Sequence, residues 1–278
     1  MEYPTRKMKI NGLSMNVLIA GEGEPVLLVH GFPDTHEVWR KQIPVLIEAG
    51  YRVIAPDTRG CGESEPPPGI SGYKRELLVE DLRALLDALE IDKVKLVGHD
   101  WGAVQGWQLT LKYPERIERY IPLSVGHPTA YSGGGIVQKL RGWYVVMFQI
   151  PRFPEWLLTV GDWWVFRKMT AFPEEFPHWR ENLSKPGRLT AGINYYRANL
   201  DLILHRDWEK TTVPVYGIVS TGDRFVTVEQ MRDSANSMDA PFEYVVIEGA
   251  NHWLQLHRPE KVNPVILKFL KAGILTKI

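Results

Sequence analysis

The residues with the clearest capacity for chemistry form a Gly-x-Asp-x-Gly segment, in which Asp100 lies between Gly98 and Gly102 after an apolar run at residues 94–97. A strand that enters a helix through so tight a turn needs small flanking residues, and it exposes the central side chain beside the helix N-terminus. A carboxylate at that position suits attack on a saturated carbon, which leaves an ester on the enzyme, better than it suits simple acyl transfer. The alternative is a plain strand–turn–helix with a solvated aspartate.

Two further ionisable residues follow later strands. Asp223 comes after the apolar run at residues 213–220, and His252 comes after residues 242–247. Functional groups in open parallel sheets lie past the carboxyl ends of strands, so we expect both residues to meet the nucleophile. A histidine with a carboxylate partner at Nδ1 can act as a general base. Either residue could instead be an ordinary loop residue. The stretch that follows Val125 holds no carboxylate, which makes Asp223 the better candidate for the acid.

Two backbone N–H groups are predicted to form an oxyanion hole. One belongs to Trp101, the residue after the nucleophile, and the other to Phe32, in the loop after the strand at residues 26–29. We expect both to point at a carboxyl oxygen of Asp100 and to stabilise the tetrahedral intermediate that forms when water attacks the ester. The alternative for the His30-Gly31 segment is a tight turn without a further role.

The elements that must position these residues alternate along the chain. The hydrophobic pattern predicts strands at residues 7–10, 14–20, 26–29, 52–55, 94–97, 117–125, 213–220 and 242–247, and helices at residues 38–49, 74–89, 103–113, 228–237 and 259–270. Asn11-Gly12 is typical of the turn of a hairpin that joins the first two strands. This order predicts an α/β fold with a mostly parallel eight-stranded sheet and helices on both of its faces.

The hydrophobic pattern changes between residues 127 and 208. It predicts only helices there, and the segment is rich in proline and aromatic residues. Six of the ten tryptophans of the chain lie there. We therefore expect an inserted helical lid, or cap, and divide the chain into a first core part at residues 1–126, a cap at residues 127–209 and a second core part at residues 210–278.

The composition of the chain limits the kinds of partner and cofactor that we expect. The 33 basic and 33 acidic residues cancel, and no basic patch is evident, so we expect no nucleic acid and no membrane as partner. Cys61 is the only cysteine, which excludes an intrachain disulfide and favours a cytoplasmic location. The first eleven residues contain no apolar segment, so we expect no signal peptide, and no uncharged apolar stretch approaches the ~20 residues that a membrane helix needs. It has no zinc-ligand spacing and no phosphate loop, so neither a metal nor an organic cofactor is expected. A monomer and a homodimer are equally compatible with it.

The two site motifs resemble those of a known family. His30-Gly31-Phe32-Pro33, together with Gly98-His99-Asp100-Trp101-Gly102, is similar to the motifs of the α/β-hydrolase-fold epoxide hydrolases, and the similarity extends over residues 26–270. Haloalkane dehalogenases share the Gly-x-Asp-x-Gly segment but generally place Asn where this chain has Phe32. Fluoroacetate dehalogenases share His-Gly-Phe-Pro but carry Arg where this chain has Trp101.

The resemblance implies two cap tyrosines that hold and protonate the epoxide oxygen. One lies in an Asn-aromatic-Tyr-Arg segment, which matches Asn194-Tyr195-Tyr196-Arg197 and gives Tyr196. The other lies shortly before a Phe-Gln-x-Pro segment, which matches residues 148–151 and gives Tyr144, although Tyr131 is also in the cap. Either tyrosine could instead be a packing residue. The resemblance also implies a cis peptide bond between Phe32 and Pro33.

The reaction that the resemblance implies is the conversion of a small apolar epoxide and water to a vicinal diol. An ester would form on Asp100, and water activated by His252 and Asp223 would hydrolyse it. The alternatives are a haloalkane dehalogenase and a non-catalytic ligand-binding protein on the same fold. A serine-type esterase is disfavoured because the central residue of the turn is an aspartate.

Overall fold

The computed structural model describes residues 3–205 and 208–271. Residues 206–207 of the predicted cap and residues 1–2 and 272–278 of the predicted core therefore lie outside the described residues. The strands are β1 (Thr5–Ile10), β2 (Leu13–Ala20), β3 (Glu24–Val29), β4 (Tyr51–Pro56), β5 (Val94–His99), β6 (Ile117–Leu123), β7 (Val215–Ser220) and β8 (Phe242–Ile247). All eight predicted strands are present, with ends that differ by at most two residues.

The strands form one mostly parallel sheet in the order β1-β2-β4-β3-β5-β6-β7-β8. The hairpin of β1 and β2 is antiparallel and turns at Asn11 and Gly12, which both have positive φ. β2 also runs antiparallel to β4, and the remaining neighbours pair in parallel. The carboxyl ends of β3 to β8 consequently lie at one edge of the sheet, and the fold is that of the α/β hydrolases, as predicted.

The helices are α1 (Ile43–Glu48), α2 (Arg75–Ala88), α3 (Trp101–Lys112), α4 (Pro128–Ser132), α5 (Ile136–Arg141), α6 (Trp143–Met147), α7 (Phe153–Thr170), α8 (Phe176–Leu183), α9 (Arg188–Ala198), α10 (Asp201–Leu204), α11 (Val228–Asp233), α12 (Leu254–His257) and α13 (Pro259–Lys271). α7 is interrupted by non-helical backbone at residues 160–163. We refer to α4 to α10, which connect β6 to β7, as the cap helices. Within the described ranges, no helix is both long and apolar enough to cross a membrane.

Two predicted helices are shorter than expected. Of residues 228–237, α11 contains only Val228–Asp233, and Ser234–Ser237 forms a 3₁₀ helix. Residues 38–49 were predicted to be helical throughout, but α1 begins at Ile43, and His36–Trp39 forms a separate 3₁₀ helix. Pro44 accounts for the difference. Its ring would clash with the preceding turn in a helix interior, and it is accommodated in the first turn of α1.

The core lies on both faces of the sheet, and β3 shows how. Val26 and Leu28 belong to one hydrophobic cluster, and Leu27 and Val29 belong to another. Successive side chains of a strand point to opposite faces, so each face of β3 is covered. The first cluster continues into α13 and the cap helices, and the second includes the apolar faces of α2 and α3. The site is thus built between the sheet edge and the cap.

Candidate active site

Asp100 lies at the turn between β5 and α3 with φ of 52° and ψ of −120°. This strained backbone conformation is unfavourable for a residue with a side chain. The turn packs against its neighbours so closely that a Cβ on Gly102 would collide with the Val29 carbonyl oxygen, and one on Gly98 would collide with the Gly102 carbonyl. The Asp100 carbonyl oxygen accepts the Val104 N–H at 3.0 Å, which starts α3. The carboxylate therefore lies at a helix N-terminus, where negative charge is stabilised.

The structure brings Asp100, His252 and Asp223 together, although they are far apart in the chain. His252 Nδ1 lies 2.7 Å from Asp223 Oδ2, and its Nε2 lies 3.4 Å from Asp100 Oδ2. His252 and Asp223 are almost fully buried. The imidazole is consequently fixed between two carboxylates, with one ring nitrogen directed at each of them.

The two carboxylates change the pKa of His252, and His252 changes that of Asp223. Burial by itself raises the pKa of Asp223, but His252 and the N–H groups of Phe225 and Val226 outweigh it and hold the pKa of this carboxyl below its usual value. Burial by itself lowers the pKa of His252. The Asp223 and Asp100 carboxylates outweigh that effect and raise the pKa of His252 to about 10. At neutral pH the free protein therefore holds an imidazolium between two carboxylates.

The loop after β3 supplies a backbone donor to the Asp100 carboxylate. The Phe32 N–H donates to Asp100 Oδ1 at 2.9 Å. A Cβ on Gly31 would collide with Asp100 Oδ1 and would lie 2.7 Å from the Trp101 nitrogen, so the loop and the start of α3 meet at this oxygen. Among the described residues no hydrogen bond joins the Trp101 N–H to the carboxylate. The Phe32–Pro33 peptide bond is cis, as the resemblance implies.

His30 holds that loop in place. Its Nδ1 is 2.8 Å from the Gly31 carbonyl oxygen, and its Nε2 accepts the Thr58 N–H at 2.9 Å. Because Nε2 accepts an N–H, the ring is neutral and donates from Nδ1, and burial also lowers the pKa of His30. His30 thus ties the Phe32 loop to the segment that follows β4.

Three cap tyrosines line the space above Asp100. Tyr131, Tyr144 and Tyr196 border a cavity of about 70 Å³. Asp100, Tyr144 and Tyr196 also border a second cavity of about 20 Å³, which reaches His252. Burial raises the pKa of Tyr144 and Tyr196 well above the usual value and that of Tyr131 to about 12. The phenols are neutral and able to donate a hydrogen bond to a developing alkoxide.

Helix α5 of the cap is connected to the loop that carries Asp223, and nothing in the sequence predicts this connection. The Gln138 side chain of α5 donates to the Phe225 carbonyl at 3.0 Å and accepts the Thr227 N–H at 2.9 Å. Arg141, also on α5, donates to the Asp223 carbonyl at 2.8 Å and to the Val226 carbonyl. Four hydrogen bonds from one short helix therefore fix the backbone of residues 223–227.

A second unforeseen connection is made by Asp34. Its Oδ1 accepts the indole N–H of Trp179 on α8 at 2.7 Å, and its Oδ2 accepts that of Trp253 at 2.9 Å. Burial raises the pKa of Asp34 to about 7. His99, whose pKa burial lowers to about 3, has its Nε2 3.0 Å from the His252 carbonyl oxygen. Asp34 and His99 therefore support the segment on which His252 lies.

Comparison with known proteins agrees with this geometry. Residues 24–259 match the model of the family described as alpha/beta hydrolase fold. The chain is 32% identical to the AB hydrolase superfamily protein YfhM of Bacillus subtilis, over 94% of this chain and 96% of that protein. It is also 32% identical to human Epoxide hydrolase 4, over 95% of this chain and 78% of that protein. The crystal structure of an epoxide hydrolase from Vigna radiata superposes with a TM-score of 0.85 at 33% identity and covers 97% of this chain and 98% of its own. The chain therefore belongs to the epoxide hydrolases of the α/β hydrolase fold family.

Proposed function

We propose that this protein converts small apolar epoxides to vicinal diols through a covalent ester on Asp100. The observation that carries the proposal is a carboxylate at the turn between β5 and α3, 3.4 Å from a histidine that a second carboxylate orients. A serine at this turn would favour acyl transfer, whereas a carboxylate favours displacement at carbon. The small cavities at Asp100 fit a small substrate.

Ring opening uses the two carboxyl oxygens of Asp100 differently. Oδ1 is held by the Phe32 N–H, so Oδ2 attacks an epoxide carbon. The carbon–oxygen bond of the ring breaks, and the oxygen takes a proton from Tyr144 or Tyr196. Both phenols are neutral because burial keeps their pKa high. Tyr131 lines the same cavity, but Tyr144 and Tyr196 border both cavities at Asp100, which favours them as the donors.

Ester formation changes the charge that His252 experiences. The esterified Asp100 is neutral, so one of the two carboxylates that raise the pKa of His252 is lost. The imidazolium then gives its proton, by way of solvent, to the phenolate left by ring opening. Neutral His252, oriented by Asp223, takes a proton from water, and that water attacks the Asp100 carbonyl carbon.

The final steps return every proton to its starting place. The N–H groups of Phe32 and Trp101 stabilise the oxyanion of the tetrahedral intermediate. Its collapse releases the diol, whose alkoxide takes the proton from His252. The regenerated Asp100 carboxyl then gives its own proton to His252, which restores the ion pair. These residues complete the cycle without a metal or an organic cofactor.

The proposal also includes the domain organisation, the partners and the location of the protein. We propose that residues 127–209 act as a cap that closes over the substrate, and that residues 1–126 and 210–278 form the core. The partners are the epoxide and water, and the chain acts as a monomer or a homodimer. The single cysteine, Cys61, supports a cytoplasmic location because it cannot form an intrachain disulfide.

The His252→Ala variant tests the two-step path. It should open the epoxide and then stall, since water is no longer activated. Intact-mass measurement should find the protein heavier by one substrate mass, with the adduct on the Asp100 peptide, and Asp100→Ala should form no adduct. Halide release from a matched haloalkane without diol formation from the epoxide would instead favour a dehalogenase.

Isotope labelling tests the bond that water attacks. A single turnover of the native protein in ¹⁸O-labelled water should leave the label in the Asp100 carboxylate, and the diol should carry the former Asp100 oxygen. Label in the diol with none in the protein would refute the ester. It would mean that water attacks the epoxide directly, with Asp100 as general base.

A further inference from the structure

The outer surface of the cap carries a row of large apolar side chains that are exposed to solvent. Their exposed fractions range from 38% to 70%, and they include three tryptophans. We call them the apolar row: Ile136, Val137, Leu140, Trp143, Val146, Ile150, Phe153, Trp156, Val160 and Trp164. Among the residues whose exposure is described, the other exposed large apolar side chains are Ile70, Leu77 and Leu204. Exposed apolar residues are therefore concentrated in one stretch of the cap.

The apolar row spans three consecutive cap helices, α5, α6 and α7, and the segment that joins α6 to α7. From Val137 to Trp164 its members recur every three or four residues, as exposed residues of a helix do, although Ile150 lies between α6 and α7 and Val160 lies in the interruption of α7. The intervening Tyr144, Phe148 and Leu158 are buried against the rest of the molecule. Ten large apolar side chains, each at least 38% exposed, exceed the singly scattered apolar residues that a monomer normally exposes. A surface of this size indicates a binding partner.

The charges in this stretch indicate what kind of partner the apolar row binds. Residues 136–168 contain five basic residues and two acidic ones, although the whole chain has equal numbers of both. The two carboxylates are neutralised within the cap, since Glu155 pairs with Arg197 and Asp162 pairs with Arg180. Lys139, Arg152 and Lys168 are on the stretch and exposed. The apolar row is thus bordered by positive charge.

We propose that the apolar row docks the cap onto the surface of an anionic lipid bilayer. Helices that lie in a membrane interface combine tryptophan and aliphatic residues on one side with basic residues beside them. A second copy of the chain fits less well, because a symmetric dimer would place the same excess of positive charge on both sides of the contact. This role goes beyond the proposed catalysis and departs from the expectation, based on overall charge balance, that no membrane is a partner.

The position of the row also suits an apolar substrate. Trp143 and Val146 are exposed on α6, while Tyr144 and Val145 of the same helix line the cavity at Asp100. A cap that lies on a bilayer would bring the cavity near a phase in which apolar epoxides dissolve. Binding to the bilayer does not itself need turnover, so the docking role and the catalytic role can be tested separately.

Co-sedimentation with lipid vesicles tests the proposal. The full chain should bind vesicles of phosphatidylcholine and phosphatidylserine more tightly than vesicles of phosphatidylcholine alone, and added salt should weaken the binding. The double variant Trp156→Ser/Trp164→Ser should bind the anionic vesicles at least about tenfold less tightly. Lys139→Gln should lower binding about fivefold. The control Ile70→Ser, which removes an exposed apolar side chain outside the cap, should bind as the native chain does.

Two results would overturn the proposal. One is the absence of binding to anionic vesicles, or equal binding by the native chain and the double tryptophan variant. The other is a dimer in sedimentation velocity that the same double variant converts to a monomer, which would assign the row to a second copy. Circular dichroism and diol formation should be unchanged in the double variant, because neither tryptophan lines the cavities at Asp100.

Discussion

Replacing Asp100 by Asn tests whether the charge of the nucleophile controls the protonation of His252. Burial lowers the pKa of His252, but the carboxylates raise it to about 10, and Asp100 Oδ2 lies 3.4 Å from Nε2. At that distance two unit charges interact by about 1 kcal/mol in water and by about 5 kcal/mol at an effective dielectric constant of about 20. Since about 1.4 kcal/mol corresponds to one pH unit, Asp100→Asn should lower the pKa of His252 by about 1 to 3.5.

Nuclear magnetic resonance titration of the imidazole nitrogens measures this change. His252→Gln assigns the signal among the eight histidines of the chain. Native His252 should stay protonated well above neutral pH, and Asp100→Asn should move its titration towards neutral pH. Asp34→Asn is the matched control, because that buried carboxylate contacts Trp253 and Trp179 instead of His252. An unchanged pKa in Asp100→Asn would refute the proposed release of the His252 proton on ester formation.

Three further outcomes follow from the same geometry. Tyr196→Phe and Tyr144→Phe should each slow ring opening roughly 10- to 1,000-fold in single-turnover kinetics, and native rates in both variants and their double variant would show that neither tyrosine is the acid. Arg141→Gln should lower kcat roughly 10- to 100-fold with little change in KM, because it loosens the loop that carries Asp223. Arg141→Lys should restore part of the rate, and a pure change in KM would contradict a positioning role. The raised pKa of His252 stabilises the folded state fully below pH ~6.5, and this contribution is lost as pH rises through about 10. Chemical unfolding of the native chain should therefore show a loss of stability in this pH range that His252→Gln lacks.

Much of the fold could be predicted because each strand is a short apolar run between turn residues. β8 lies where residues 242–247 predicted it, and the Asn11-Gly12 turn forms the hairpin. The 3₁₀ helix at His36–Trp39 was missed, because the apolar pattern continues across it and only Pro44 marks the later start of α1. The order of strands was not predicted either, since periodicity along one segment contains no information on which segment pairs with it.

Part of the candidate site could likewise be predicted from the sequence, and part could not. Asp100, Asp223 and His252 could be expected to meet because each follows a strand of a parallel sheet, and parallel strands end at one edge. Gln138 and Arg141 could not be found from the sequence. They are polar residues on a short helix, which normally indicates a solvated face, and their partners are backbone atoms more than eighty residues away. A hydrogen bond to a backbone atom does not require a particular residue type at the partner position, so the sequence contains no pattern that would reveal it.

The two cavities that Asp100 borders have a consequence for the stereochemistry of the diol. One cavity is about 70 Å³ and the other about 20 Å³, and Asp100 borders both. A substrate with substituents of unequal size fits with the larger one in the larger cavity, so packing selects which ring carbon faces Asp100 Oδ2. In the proposed mechanism, attack inverts that carbon and leaves the other unchanged. We therefore expect the shapes of the two cavities to determine the handedness of the diol, and a substitution that exchanges their sizes to invert the preference without altering a group that takes part in the reaction.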